Sequence, residues 1–428
     1  MTNTEVQFDV SRIGPALIPS PMRGVCFTAD DAKILYDTSL SSVQKFLEEG
    51  KVPPQMEIAG PREKIYFDPS GLRCGIVTCG GLCPGLNDVI RSIVLSLYYH
   101  YGVKTVYGFR YGYEGLVGLQ GQAPIELTPE NVSGIHEKGG SFLGSSRGQQ
   151  DSAEIVKTLE RLKIGILFTL GGDGTLRAAH AIHQEIQKRG LEIGVIGIPK
   201  TIDNDISYVQ MTFGFETAVT EAKAVVFAAH NEAVSAKNGI GLVKLMGRDS
   251  GFIAAYATLA GGEVNFCLVP EVPFTLDGLS LALQKRLQTK GHAVIVVAEG
   301  AGQDLMQASG ETDASGNVRY NDIGIFLRDR IKDHFKKIGM EINLKYIDPS
   351  YTIRSVSANA HDAAFCLLLG KNAVHAGMAG RTDMVVAYWN QQATHVPISM
   401  AVSQRKKIDP QGWFWNSVIA TTGQPARM

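Results

Sequence analysis

The rhythm of apolar and polar positions changes near residue 70. Before it, prolines at 15, 19, 21, 53, 54, 61 and 69 interrupt the chain, and only residues 30–49 keep a helical period, which predicts one helix in an otherwise appended segment. From Arg73 onward, short apolar runs end in glycine-rich turns and lead into amphipathic helices. That alternation predicts a parallel sheet covered on both faces. Strands are expected at residues 74–79, 164–170, 193–198, 240–245, 266–269 and 293–298. Helices are expected at 86–99, 176–187, 217–230, 276–288, 322–337 and 357–369. The result is a doubly wound α/β fold, in which ligands bind at the carboxyl ends of the strands.

Composition narrows the functional classes. A chain of 428 residues, 44% apolar, buries a large core and suits two or three domains. Lys plus Arg number 41 and Asp plus Glu 42, so the overall charge gives no reason to expect nucleic acid or an anionic membrane as partner. No apolar run reaches the roughly 18 residues of a membrane-spanning helix, and the opening MTNTEVQFDV lacks the pattern of a signal peptide, so the expected location is the cytoplasm. The six cysteines are sparse and sit mostly among apolar residues, as reduced buried thiols do. Cys79 and Cys83 have no second pair at zinc spacing.

Chemistry concentrates in three loops at expected strand ends. Residues 80–87 (GGLCPGLN) join a strand to a helix, where glycines let backbone N–H groups approach phosphate oxygens; tight packing alone would also explain them. In GGDGT at 171–175, a carboxylate beside a phosphate cradle is unfavourable unless a cation intervenes, so Asp173 reads as a Mg²⁺ ligand or, alternatively, as the cap of the next helix. PKTIDND at 199–205 packs a cation, a hydroxyl and two carboxylates together, which suits phosphoryl transfer or a solvated charged turn. In an extended chain Asp203 and Asp205 would face the same side.

These loops, with MGR at 246–248 and YTIR at 351–354, resemble the 6-phosphofructokinases in order over about residues 72–380. GGDGT alone is shared with NAD kinases and lipid kinases, whereas TIDND combined with MGR is specific. The resemblance implies two doubly wound parallel-sheet (Rossmann-like) domains with the active site in the cleft between them, plus the N-terminal extension. Residues 71–214 with about 349–405 would bind nucleotide, and 215–348 with the C-terminal segment would bind sugar phosphate, behind an extension at 1–70. The implied reaction is ATP-dependent phosphorylation of fructose 6-phosphate at its 1-hydroxyl, a step of glycolysis, with Mg²⁺ as cofactor and a homo-oligomer (dimer or tetramer) as the working form.

By the same resemblance Asp203 is the general base, assisted by Asp205, Lys200 and Thr201. Arg147 holds the donor phosphates, since a guanidinium grips two oxygens at once, and Gly81, Gly148, Gly172, Asp173, Gly174 and Thr175 line the nucleotide. Substrate contacts fall to Thr201, Ile202, Asp203, Met246, Gly247, Arg248, Glu299, Tyr351, Thr352, Ile353 and Arg354. Read without the resemblance, Glu299 is a cap, Tyr351 core packing and Arg354 a surface ion pair.

The donor turns on two residues. Pyrophosphate users resemble GGDD, whose second acid occupies the place of an α-phosphate; Gly174 leaves it open and points to ATP. Lys200, common in pyrophosphate enzymes, pairs with Gly174 in the plant and trypanosomatid ATP-dependent branch. The chain departs from the short bacterial pattern at Leu82 and Cys83. It departs again at Gly239, where those enzymes place an arginine that reaches a neighbouring subunit's sugar phosphate; that role is either missing in this chain or filled by Lys237 or another residue. The alternatives are a pyrophosphate-dependent enzyme and a silent regulatory subunit; intact Asp173, Asp203 and Arg147 argue against the latter.

Overall fold

The computed structural model describes residues 7–117, 123–307, 310–312 and 318–428. Two compact units emerge. The first comprises Met1–Thr201, Ile206–Phe213 and Ser357–Gln404; the second comprises Ile202–Asp205, Gly214–Val356 and Arg405–Met428.

In the first unit a sheet of nine described strands runs Lys33–Leu35, Gln55–Ile58, Gln392–Pro397, Met384–Trp389, Gly194–Pro199, Ile166–Gly171, Arg73–Thr78, Thr105–Phe109, Ile125–Glu126. Its centre, from Met384–Trp389 to Thr105–Phe109, is parallel, and its flanks are antiparallel. Central strands such as Ile166–Gly171 are buried throughout, because helices cover both faces; hence their uninterrupted apolar sequence. Arg73–Thr78 comes first among the central strands, and its neighbours Thr105–Phe109 and Ile166–Gly171 lie on opposite sides of it. Chain order reverses there, and the 80–87 and 171–175 loops leave the carboxyl ends of the two strands at that reversal, where open α/β sheets bind ligands.

The second unit is built on four parallel strands ordered Phe266–Leu268, His292–Ala298, Gly239–Leu245, Asn343–Ile347. Alternate residues of His292–Ala298 serve two cores. Val294, Val296 and Ala298 pack with the helices Phe215–Val234 and Phe252–Gly261, whereas Ala293, Ile295 and Val297 pack with Leu276–Lys290 and Ile323–Lys337.

The sequence pattern and the structure differ in the N-terminal segment. The helix expected at 30–49 is confined to Leu40–Glu48, and Lys33–Leu35 is a strand paired with Gln55–Ile58. Ile34 and Tyr36 pack on the core of the first unit, and the Asp37 carboxylate accepts a hydrogen bond from Ser39 N at 2.8 Å, turning the chain before the helix. The helix expected at 86–99 spans Leu86–Leu95 and continues as a π-helical turn, Ser96–Tyr101. Among the described residues no helix is long and apolar enough to cross a membrane.

Candidate active site

In the first unit, strand pairing brings the glycine loops together: Cys79 N donates to Leu170 O at 2.9 Å. The segment carrying Arg147 is laced onto the first loop, with Gly80 N donating to Ser146 O at 3.0 Å and Ser145 Oγ to Gly80 O at 2.6 Å. A Cβ placed on Gly81 would lie 3.3 Å from Arg147 Nη2, so the bare backbone leaves the exposed guanidinium its place. Gly148 follows at φ +112°.

Asp173 occupies the first position of the helix Asp173–Lys188, with Gly172 as its cap. A carboxylate there favours the positive end of the helix dipole, and Arg177 Nε holds it at 2.9 Å. Thr175 is buried, while Gly174 is exposed and a Cβ there would meet no atom within 4 Å. Lys200 is buried and binds both loops: its N donates to Gly171 O at 2.9 Å and its Nζ to Gly81 O at 2.7 Å. Its ammonium therefore also supports the cradle, a role its position in the sequence did not reveal. Thr201 O accepts from Thr212 Oγ1 at 2.6 Å. Among the thiols, Cys83 Sγ donates to Phe213 O at 3.2 Å, and burial pushes the Cys79 thiol up to about 12, which disfavours its thiolate. Leu82 is half-buried.

In the second unit the two acids meet in another way than an extended chain would give. Ile202 and Asp203 form a turn and Asn204 takes φ +55°, a conformation asparagine tolerates. Burial, then the charges of Asp205 and Glu299, push the Asp203 carboxyl well above the usual range, against the pull of the Arg248 backbone N–H, which approaches its Oδ2 at 3.4 Å. Burial also raises Glu299, opposed by Arg248, Lys244 and Arg354. Glu299 reaches this place because its N donates to Leu245 O at 2.9 Å and Gly300 N to Gly247 O at 3.0 Å, joining the ends of two adjacent strands.

The remaining expected substrate residues divide. Arg248 stacks over Tyr320 at 4.5 Å and donates to Val318 O. Arg354 stacks over Tyr351 at 4.5 Å; Tyr351 is 75% exposed and so is not core packing. Thr352 is exposed, whereas Ile353 and the Met246 side chain lie in the apolar core. At Gly239 any Cβ would strike Ala233 O, so an arginine there would require the backbone to move; Lys237 is exposed.

Sequence reasoning missed the segment that grips the acidic turn. Arg405 Nη1 binds Asp205 Oδ2 at 3.0 Å, Lys406 N donates to Asp205 O at 2.9 Å, and Lys406 Nζ donates to Asn204 Oδ1 at 3.0 Å. The same segment is anchored by Glu271, whose carboxylate accepts from Ile408 N at 3.0 Å and Gly251 N at 3.1 Å. Burial pushes Lys406 down to about 7, opposed by Asp205. In the sequence, Arg405-Lys406-Lys407 is only a short basic run, which usually means a solvated face.

The profile of the family described as Phosphofructokinase matches residues 73–377. The chain is 52% identical over 383 residues to an ATP-dependent 6-phosphofructokinase of Borreliella burgdorferi, covering 87% of this chain and 86% of that one. It is 50% identical to an ATP-dependent 6-phosphofructokinase of Trypanosoma brucei brucei, covering 86% and 77%. Among solved structures, a pyrophosphate-dependent phosphofructokinase from Marinobacter aquaeolei aligns with a TM-score of 0.69 at 20% identity, over 82% of this chain and 91% of that one, a likeness of fold.

Proposed function

Because the chain belongs to the phosphofructokinase family, we propose that it transfers the γ-phosphoryl group of ATP to the 1-hydroxyl of fructose 6-phosphate. The observation that carries the chemistry is the environment of Asp203. A carboxylate raised by burial beside Asp205 and Glu299 is a stronger base once ionised, suited to take the hydroxyl proton as the oxygen attacks phosphorus. The bond between the γ-phosphorus and the bridging oxygen then breaks, ADP leaves, and the proton stays on Asp203. Asp205, tied to Arg405, holds the turn in place.

On the donor side Arg147 grips the polyphosphate, while Gly81, Gly148 and Gly172 let backbone N–H groups approach it. The open space at Gly174 supports ATP over pyrophosphate. Mg²⁺ keeps most of its waters and takes one or two carboxylates with substrate phosphates, and the single carboxylate of Asp173 beside the glycine turn fits that requirement. When bound, the ion neutralises polyphosphate charge. Arg248 and Arg354 offer cations to the sugar phosphate, Glu299 an acceptor for a sugar hydroxyl, and Thr201 a further sugar contact. We place the enzyme in the cytoplasm on its sequence alone, and we read it as a homo-oligomer, supported by the exposed Trp413 and Tyr256 and checked by sedimentation.

The decisive experiment measures initial rates with fructose 6-phosphate and Mg²⁺, giving ATP or pyrophosphate at matched concentration. A strong preference for ATP is expected. Preference for pyrophosphate would mean that Lys200 outweighs Gly174, and activity with neither would leave a sugar-phosphate-binding regulatory subunit.

A further inference from the structure

A cavity of about 390 Å³ opens in the first unit, lined by none of the loop residues described above. The N-terminal segment supplies one wall, including Met22, Arg23 and Val25; the π-helical turn supplies Tyr99 and His100; the helix Ala360–Met378 supplies Lys371 and His375. Arg23 and Lys371 bring fixed positive charge, and among the described residues no carboxylate lines the space. His100 Nδ1 is buried and has no hydrogen-bond partner among the described residues, a costly state for an imidazole nitrogen unless something else satisfies it. His375 is different: its Nδ1 meets Tyr101 Oη at 2.8 Å, and its ring stacks on that of His100 with centroids 6.4 Å apart.

The electrostatics agree with this geometry. Burial and then Lys371 lower the pKa of His100. Burial, His100, Lys371, Arg62 and His395 lower His375 to about 3, which keeps it neutral at working pH. Glu57, the acid that faces Arg62 and His395, is already engaged with them and with Arg381. The cavity therefore takes positive charge from the N-terminal wall and from the helix Ala360–Met378, beside proline, methionine, valine and a tyrosine ring.

We propose that this cavity binds a small organic phosphate ester, with its phosphate among Arg23, Lys371 and His100 and its carbon body against Met22, Val25 and Tyr99. An anion there supplies the charge that the lining lacks, and it draws a proton onto His100. Occupancy also ties the N-terminal segment to two helices of the unit body.

The test uses the full-length protein with labelled histidines, read by NMR, and two probes: sulfate, whose charge is constant over the range, and phenyl phosphate. Sulfate should raise the apparent pKa of His100 by about one unit, and so bind about tenfold more tightly below that pKa than above it. Phenyl phosphate should bind more tightly than sulfate. Arg23→Ala and Lys371→Ala should each abolish the His100 shift while leaving kcat and both KM values unchanged. An unmoved His100 titration with both probes would overturn the proposal, as would a shift that persists in both variants. Phenyl phosphate binding no better than sulfate would overturn the assignment to a phosphate ester.

Discussion

At Asp203 the fold holds a carboxylate where ionisation is unfavourable, and that cost has a measurable signature. Its pKa is raised in the folded state, so its contribution to stability is complete below the unfolded carboxylate range and is lost as pH rises toward the folded value. Asp203→Asn removes the ionisation without changing size. We expect kcat to fall by at least about a hundredfold while Tm at neutral pH rises, with steady-state rates and a thermal melt as the two readouts. Unchanged kcat would remove Asp203 from the role of base. Lys406 has the opposite sign: depressed to about 7 by burial, it binds fewer protons folded than unfolded, so stability grows as pH rises from about 7 toward the ordinary lysine value. Lys406→Met should flatten that rise in a series of melts. Because Lys406 Nζ also holds Asn204, the variant should lower kcat more than the KM for ATP. A Cβ at position 174 meets no atom within 4 Å, so the expected effect of Gly174→Asp is electrostatic, a loss of at least about tenfold in kcat/KM for ATP against an undiminished response to pyrophosphate.

Elements were legible where burial on both faces wrote an uninterrupted apolar run. Ile166–Gly171 and His292–Ala298 are of this kind, and the loops that follow such strands carry their chemistry within a few residues. The strands at the flank of the first sheet were not legible, because their buried positions include charges. Glu57 in Gln55–Ile58 and His395 in Gln392–Pro397 are partners across the sheet at 3.2 Å, yet each looks solvent-facing in the sequence. Arg405 and Lys406 escaped notice for the same reason: only the folded chain shows that a basic run closes on an acidic turn 200 positions earlier. At Gly85 the element boundary itself is exposed to test. The residue starts the helix Leu86–Leu95 at φ +94°, and a Cβ would lie 2.6 Å from Cys366 Sγ. Gly85→Ala should cost about 2 kcal/mol or more in chemical denaturation, from backbone strain and overpacking together.

On the scale of the whole molecule, the N-terminal segment is bound into the first unit rather than laid upon it. Ser11–Arg12 pairs with Arg381–Thr382, Ile18–Pro19 pairs with Lys64–Ile65, and Glu57 receives Arg62 at 3.0 Å and Arg381 at 2.8 Å. Burial opposes the Glu57 charge, but His395, Arg381 and Arg62 prevail and hold its pKa well below the carboxylate range. Its stabilisation is present above the unfolded value and is lost as pH falls into the acid range. Glu57→Gln, which leaves Arg62 and Arg381 with only the more exposed Asp30 as counter-charge, should cost about 3 kcal/mol in urea unfolding. The pairing of Gln55–Ile58 with Gln392–Pro397 has a consequence beyond stability. A bare outer strand offers unpaired N–H and C=O groups to any passing chain, and sheets left open in this way recruit one another into aggregates. A chain begun at Ser70 would expose the Gln392–Pro397 edge and should scatter light on standing even where its catalytic loops are intact. The segment that reads as an appendage thus acts as a built-in safeguard against edge-to-edge aggregation, and cutting it away would convert a well-dispersed enzyme into a precipitating one.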